Sequence, residues 1–453
     1  MRSLFSFILL GLLLCNQSFG QDQKKAGFLS SGDMQFLGEL TRAVVDSSRI
    51  LPGKDLPPAI KSFGPNRSGI TLIRPGGRNC YPSFWIRDYA MSLESGFISK
   101  TEQRDMLIYT AQRQADQSWI TANGSLVPVG SIPDHIRIND GLPVFFPGTY
   151  DYVQQGGELW KMPPYDDNYF FIHMAWFYLN ESGDFSLLRK DVNGINLIDR
   201  LEAAFTTVPG DPDNQMVTID QSFQTVDFGF RDIISMTGNV CFGSILKYRA
   251  AIELSDFYHR LRDQGKEKKY RDIAGMIRKN LVPVFAGERG FFRASTGSSS
   301  QPDVWATAFA VFSGILDEPV KTKACDILAE ACRNGTISME GQIRHVPVFD
   351  DYSDATSWEI SGSSLNTYQN GAFWGTPTGW VCYAVYQVDP KAAVKLAKEY
   401  IDSLRKTDYR TGLPGNGGPY ECIFPPMGYK QNPVYMTTVT CPYAAFRRIQ
   451  SDE

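Results

Sequence analysis

Arg87 and Asp88 stand side by side at the end of an aromatic run, Tyr81-Pro82-Ser83-Phe84-Trp85-Ile86. A guanidinium is a planar fork of donors and a carboxylate offers only acceptors, so the pair can hold two neighbouring hydroxyl groups at once. Asp88 can equally cap the helix whose apolar spacing starts here. Farther on, Asp227-Phe228-Gly229-Phe230-Arg231-Asp232 sets a carboxylate among aromatic rings ahead of another helical stretch. Burial beside Phe228 and Phe230 would raise the pKa of Asp232, as a proton donor at neutral pH requires, while Arg231 and the helix dipole act the other way.

A third group is Asn366-Thr367-Tyr368-Gln369-Asn370-Gly371-Ala372-Phe373-Trp374-Gly375-Thr376-Pro377-Thr378-Gly379-Trp380. Its glycines permit close backbone approach, and the amides of Gln369 and Asn370 can both donate to and accept from hydroxyls. A fourth is Asn416-Gly417-Gly418-Pro419-Tyr420-Glu421-Cys422, in which Glu421 is the sole acidic residue between Tyr409 and Ser451. One protonated acid and one ionised carboxylate on opposite faces of a sugar ring suffice for single displacement at its anomeric carbon. Asp232 and Glu421 are the candidates for those two roles, with Glu359, next to Trp358, as the competing base. Asp166-Asp167-Asn168-Tyr169 opens a helix rich in aromatics, where Asp167 can cap the helix or bind hydroxyls.

Other chemistries find less support. His135, His173, His259 and His345 are scattered and supply neither a zinc spacing nor an obvious triad, although Asp134 and His135 could pair. There is no Gly-x-Ser-x-Gly elbow and no phosphate-loop or dinucleotide fingerprint. No metal or redox cofactor is called for. A net charge of -4 gives no basic field for nucleic acid. Aromatic residues make up 13% of the chain, which suits both a large core and stacking on the apolar faces of sugar rings.

These residues must be positioned by helices. The i, i+3/i+4 spacing of apolar residues predicts Met34–Ser48, Asp88–Ile98, Thr101–Ser118, Asn168–Asn180, Gly194–Thr206, Val240–Arg262, Glu267–Leu281, Val304–Leu316, Val320–Arg333, Trp374–Gln387, Pro390–Arg405 and Val434–Arg447. Strand-like stretches are short: Gly69–Ile73, Gly341–Val348 and Leu126–Val129. Long loops rich in Gly, Pro, Asp and Trp separate paired helices, at Asn79–Arg87, Ser131–Asp167, Pro209–Asp232, Gly335–Phe373 and Thr411–Pro433. Loops of that length in a compact domain are commonly functional. The pattern predicts an all-α chain, an (α/α)6 toroid of helical hairpins with long loops and small β excursions on one face.

Residues 1–20 read as a secretory signal: Arg2, an apolar run from Leu4 to Leu14, then Ser18-Phe19-Gly20 before a polar stretch. Leu14 is bulky where a lipoprotein signal has a small residue, so Cys15 is the lesser reading. With no membrane span, 21–453 is expected to be one exported catalytic domain, periplasmic or secreted. Seven cysteines remain after residue 20, an odd and widely spaced set that is no disulfide framework, with one or two bridges left open.

The motifs carry a family resemblance. Trp85-x-Arg87-Asp88-x-Ala90 resembles the Trp-x-Arg-Asp-x-Ala segment of glucoamylases and a related segment of glycogen-debranching glucosidases, and Tyr368-x-Asn370-Gly371 resembles a motif of six-hairpin glycosidases. Phe230-Arg231-Asp232 is similar to their Trp-x-Asp segment, with Phe in place of Trp. The Trp-Pro of the third motif is replaced by Trp374-Gly375-Thr376-Pro377. The resemblance implies that Arg87 and Asp88 hold a terminal sugar, with Asp167, Gln369 and Asn370 binding hydroxyls and Trp85, Tyr368 and Trp374 lining its faces. It further implies that Asp232 is the acid and Glu421 the base of an inverting glycoside hydrolase acting on an oligo- or polysaccharide. Two alternatives stay open: a polysaccharide lyase or sugar epimerase on the same toroid, and a glycan-binding protein without catalysis.

Overall fold

A computed structural model describes residues 27–76, 80–147, 160–287 and 289–452. The expected signal segment and Cys15 lie outside them. The described residues form twelve α-helices: α1 (Ser31–Ser48), α2 (Ile86–Ser92), α3 (Lys100–Ala111), α4 (Asp166–Ser182), α5 (Leu197–Thr207), α6 (Cys241–Leu261), α7 (Gln264–Phe285), α8 (Val304–Phe312), α9 (Val320–Arg333), α10 (Thr378–Tyr386), α11 (Pro390–Thr407) and α12 (Thr437–Ser451). Among the described residues, no helix is long and apolar enough to cross a membrane.

Burial sorts the helices into two kinds. Every residue of α8 is buried, whereas α7 buries only Tyr270, Ala274, Ile277, Leu281 and Phe285. A helix apolar all round must be surrounded, and one with a single stripe faces solvent on its other side. The packing follows this division. The even-numbered helices touch in cyclic order, α2 to α4, α6, α8, α10, α12 and back to α2, while each odd-numbered helix packs outside them. Caps set the starts: Ser99 and Glu102 form a capping box on α3, and Asp389 caps α11 with Pro390 in its first turn.

The helices expected from apolar spacing are all present, Val320–Arg333 with the expected ends and the others with altered ones. α3 stops at Ala111 rather than Ser118, because the chain turns away and the Gln114 amide is drawn to the carbonyls of Gly130 and Arg200. Trp374, expected on a helix, lies on the strand Phe373–Trp374, since Gly375 and Pro377 delay α10 to Thr378. Two sheets organise the long loops, and of their strands only Gln342–Ile343 lies in a stretch expected to be strand-like, Gly341–Val348. Ser83–Trp85 pairs with His135–Arg137, which pairs with Pro143–Val144. Five antiparallel strands run in the order Ser338–Met339, Gln342–Ile343, Phe373–Trp374, Tyr420–Phe424 and Tyr429–Pro433. Cys241, Cys325, Cys332, Cys382, Cys422 and Cys441 are free thiols.

Candidate active site

The inner helices turn their N-terminal ends to the long loops. Arg87 and Asp88 stand in the first turn of α2, and Asp166 and Asp167 in that of α4. Asp232 follows the short helical turn Gly229–Arg231 that leads toward α6, and Tyr435 stands two residues before α12. Glu421 is carried by the strand Tyr420–Phe424. These elements form a hollow, with about 30 Å³ of room for water-sized centres, lined by Tyr81, Trp85, Arg87, Asp88, Gly229, Phe230, Asp232, Tyr368, Glu421 and Tyr435. Two carboxylates far apart in sequence, Asp232 and Glu421, thus share one aromatic hollow.

Both acids are pushed above the ordinary carboxylate range, Asp232 to about 7 and Glu421 to about 8, chiefly because burial disfavours their charged forms. Their hydrogen bonds separate them. The Tyr81 hydroxyl lies 2.9 Å from Glu421 Oε1 and 2.8 Å from Oε2, and Asn432 Nδ2 also donates to Oε2. Two donors aimed at one carboxyl favour its ionised form, yet burial outweighs them and leaves Glu421 the higher of the two. Asp232 accepts a single such bond, on Oδ1 from Gln369 at 2.7 Å.

Below the hollow, Arg87 binds three buried carboxylates: Nη2 lies 2.6 Å from Asp134 and 2.7 Å from Asp167, and Nε 2.9 Å from Asp166. One cation cannot neutralise three anions. Burial holds Asp166 and Asp167 above their usual values. Asp134 falls below its usual value despite burial, because Arg87 and His135 both face it. Asp88 accepts from the Tyr435 hydroxyl at 2.6 Å, and burial lifts it to about 6. Gly229 is required where it stands: a Cβ there would sit 1.9 Å from Arg87 Nε, and its N–H donates to Asp166 at 2.9 Å.

The rim holds strained backbone. Tyr81 (φ 60), Tyr368 (φ 45), Asn432 (φ 43) and Val434 (φ 62) occupy the left-handed region, at a cost of about 1–3 kcal/mol each. Such strain concentrates where a site dictates the backbone. Trp85 stacks on His135 with centroids 4.2 Å apart and meets Tyr81 edge-on at 5.0 Å.

Of the sequence-based candidates, Trp85, Arg87, Asp88, Asp232, Tyr368 and Glu421 line the hollow. Five others lie elsewhere. Asp167 lies beneath it, paired to Arg87. Asn370 is spent on its own loop, accepting from the Ser357 N–H and the Thr356 hydroxyl and donating to the Ser363 carbonyl. Trp374 is wholly buried behind Tyr368 and Phe230. Gln369 turns its amide to the loop around Asp232. Glu359 is exposed and accepts from the Ser299 N–H. Arg87 has its Nε and Nη2 engaged by carboxylates, which leaves Nη1 outside these pairs.

Sequence reasoning gave no role to Tyr81, Asn432 or Tyr435. For Tyr435 the available signal was position, just ahead of an inner helix like the other site residues. Among the described residues, no cluster of histidine, cysteine and carboxylate side chains is arranged to hold a metal ion.

No protein-family model matches the sequence, and no curated protein is significantly similar to it. Solved structures do match. A glycosidase in complex with glucose aligns at 13% identity and a TM-score of 0.56, over 93% of this chain and 99% of that one. The glucoamylase of Hormoconis resinae aligns at 14% and 0.55, over 92% of this chain and 73% of that one. A mannosylglycerate hydrolase of Thermus thermophilus, in complex with glucose, aligns at 12% and 0.55, over 91% of this chain and all of the other. The chain has the helical fold of these structures.

Proposed function

We propose that the protein is an inverting glycoside hydrolase that cleaves a neutral terminal sugar from an oligo- or polysaccharide. The observation that carries this reading is that Asp232 and Glu421 line one hollow floored by Arg87 and Asp88 and walled by tyrosines and Trp85. The glycosidases of like fold support it by analogy. The cyclic packing of the even-numbered helices supports reading the ring as an (α/α)6 barrel formed by one domain, 21–453. The first twenty residues are proposed to direct export.

In the proposed reaction Asp232, protonated, gives its hydrogen to the glycosidic oxygen as the bond to the anomeric carbon breaks. In the singly protonated pair, the form whose proton stands on Asp232 leaves Glu421 ionised to take a proton from a water molecule whose oxygen attacks that carbon from the opposite face, so the configuration inverts. Asp88 and Nη1 of Arg87 are placed to hold ring hydroxyls, and the tyrosines and Trp85 to face the ring. A panel of aryl glycosides and oligosaccharides, followed by proton NMR, tests the reading. Release of one sugar with its anomeric configuration inverted is expected. An unsaturated product would point to a lyase, and binding without turnover to a glycan-binding protein.

A further inference from the structure

Gln369 is buried against the loop that carries Asp232, and its amide is fully engaged. Oε1 accepts the Ile233 backbone N–H at 3.0 Å. Nε2 donates to the Gly229 carbonyl at 3.3 Å and to Asp232 Oδ1 at 2.7 Å. The first contact fixes the others, because a backbone N–H can be met only by the amide oxygen. The nitrogen must then be the end that faces Asp232. An amide nitrogen offers no acceptor, so Oδ1 accepts whether Asp232 is protonated or ionised. The acidic hydrogen, when present, belongs on Oδ2, which has no hydrogen-bond partner among the described residues on a side chain that lines the hollow.

We propose that Gln369 is a positioning residue for the proton donor: it holds Oδ1 of Asp232 as an acceptor, braces Gly229 and Ile233 on either side, and so directs the acidic hydrogen through Oδ2 into the hollow. The inference rests on the reading of Asp232 as the acid. As the hydrogen leaves Oδ2 for the departing glycosidic oxygen, negative charge develops on the carboxyl, and the Gln369 N–H on Oδ1 becomes a charge-assisted bond. The contact is therefore stronger in the transition state than before it, which is the condition for raising kcat rather than lowering KM.

Two variants test this, each followed by kcat and KM across pH, a melting curve, and a titration of the Asp232 carboxyl by carboxyl-carbon NMR. Gln369→Met keeps length and bulk but removes the donor. The Asp232 midpoint is expected to rise, because a donor to the ionised form is lost, with kcat down about 10²-fold and KM within about threefold. In Gln369→Glu one oxygen still meets the Ile233 N–H while the other faces Oδ1. The shared hydrogen is then drawn onto Oδ1, and kcat falls at least as far with the fold retained. An unchanged Asp232 midpoint and kcat in Gln369→Met overturns the proposal. So does a loss that appears as rising KM and a falling melting temperature alone, which is the mark of loop packing. The NMR titration needs no turnover. If the wild-type protein cleaves no glycoside, the hydrolase reading fails, while the midpoint still decides whether Gln369 governs the proton of Asp232.

Discussion

The hydroxyl of Tyr81 lies within 3 Å of both oxygens of Glu421, across 340 residues of sequence. The phenol is held there by a backbone in the left-handed region, and Asn432, in the same region, donates to the same carboxyl. Strain at two places thus serves one carboxyl. A hydrogen bond to a charged group is worth about 1.5–3 kcal/mol. Tyr81→Phe is therefore expected to lower kcat/KM at pH 7 by about ten- to a hundredfold. Loss of a donor to the ionised form raises the Glu421 pKa, already the higher of the pair, so the limb on which activity falls with pH moves to higher pH while the peak drops. Steady-state kinetics across pH reads both effects.

The wild-type pH profile should itself be narrow. The reaction needs one proton on the Asp232–Glu421 pair. Below both pKa values the pair holds two, and above both it holds none. With midpoints at about 7 and about 8, kcat/KM is expected to peak between them and fall on either side. The two values belong to the pair as a whole.

The same shifts bear on stability. A carboxyl whose folded pKa exceeds its unfolded value binds more protons when folded, so its ionisation opposes folding as pH rises past the unfolded value of about 4. Asp232→Asn removes that penalty. The variant is expected to melt at least about 2 °C above the wild type at pH 8, with the gain shrinking to nothing toward pH 4. Melting curves at the two pH values test this, and equal shifts at both would contradict it.

Gly229→Ala tests the foundation of the site. The added carbon would occupy the position of Arg87 Nε, forcing the guanidinium off Asp166 and leaving a buried anion without its cation. Breaking a buried pair costs about 3–5 kcal/mol, and urea denaturation should show a loss of that size.

How far the sequence foretells this site depends on where each side chain spends its polar atoms. The helices are legible because their burial repeats at helical spacing, as in Ala393, Leu396, Ala397, Tyr400 and Leu404 of α11. Glu421 is legible as the sole acid of its loop, and Asp232 because aromatic rings flank it ahead of a helix. The third motif misleads for a physical reason. A long loop must satisfy its own backbone, and Asn370 and Trp374 do that work for the 356–374 segment, donating to the carbonyls of Ser363 and Tyr368. Gly371, at φ +100, lies against Arg344, where a Cβ would come within 2.4 Å of Nη2. Tyr81 and Asn432 gain their meaning only from a contact across the ring, which no local spacing encodes.

The central claim is that Asp232 and Glu421 together carry the chemistry. Turnover by Asp232→Asn and by Glu421→Gln, on the glycoside that the wild-type protein cleaves best, tests it most directly. Both variants should fold and bind sugar yet lose kcat by about 10²–10⁴-fold. Wild-type turnover in either folded variant would contradict the account.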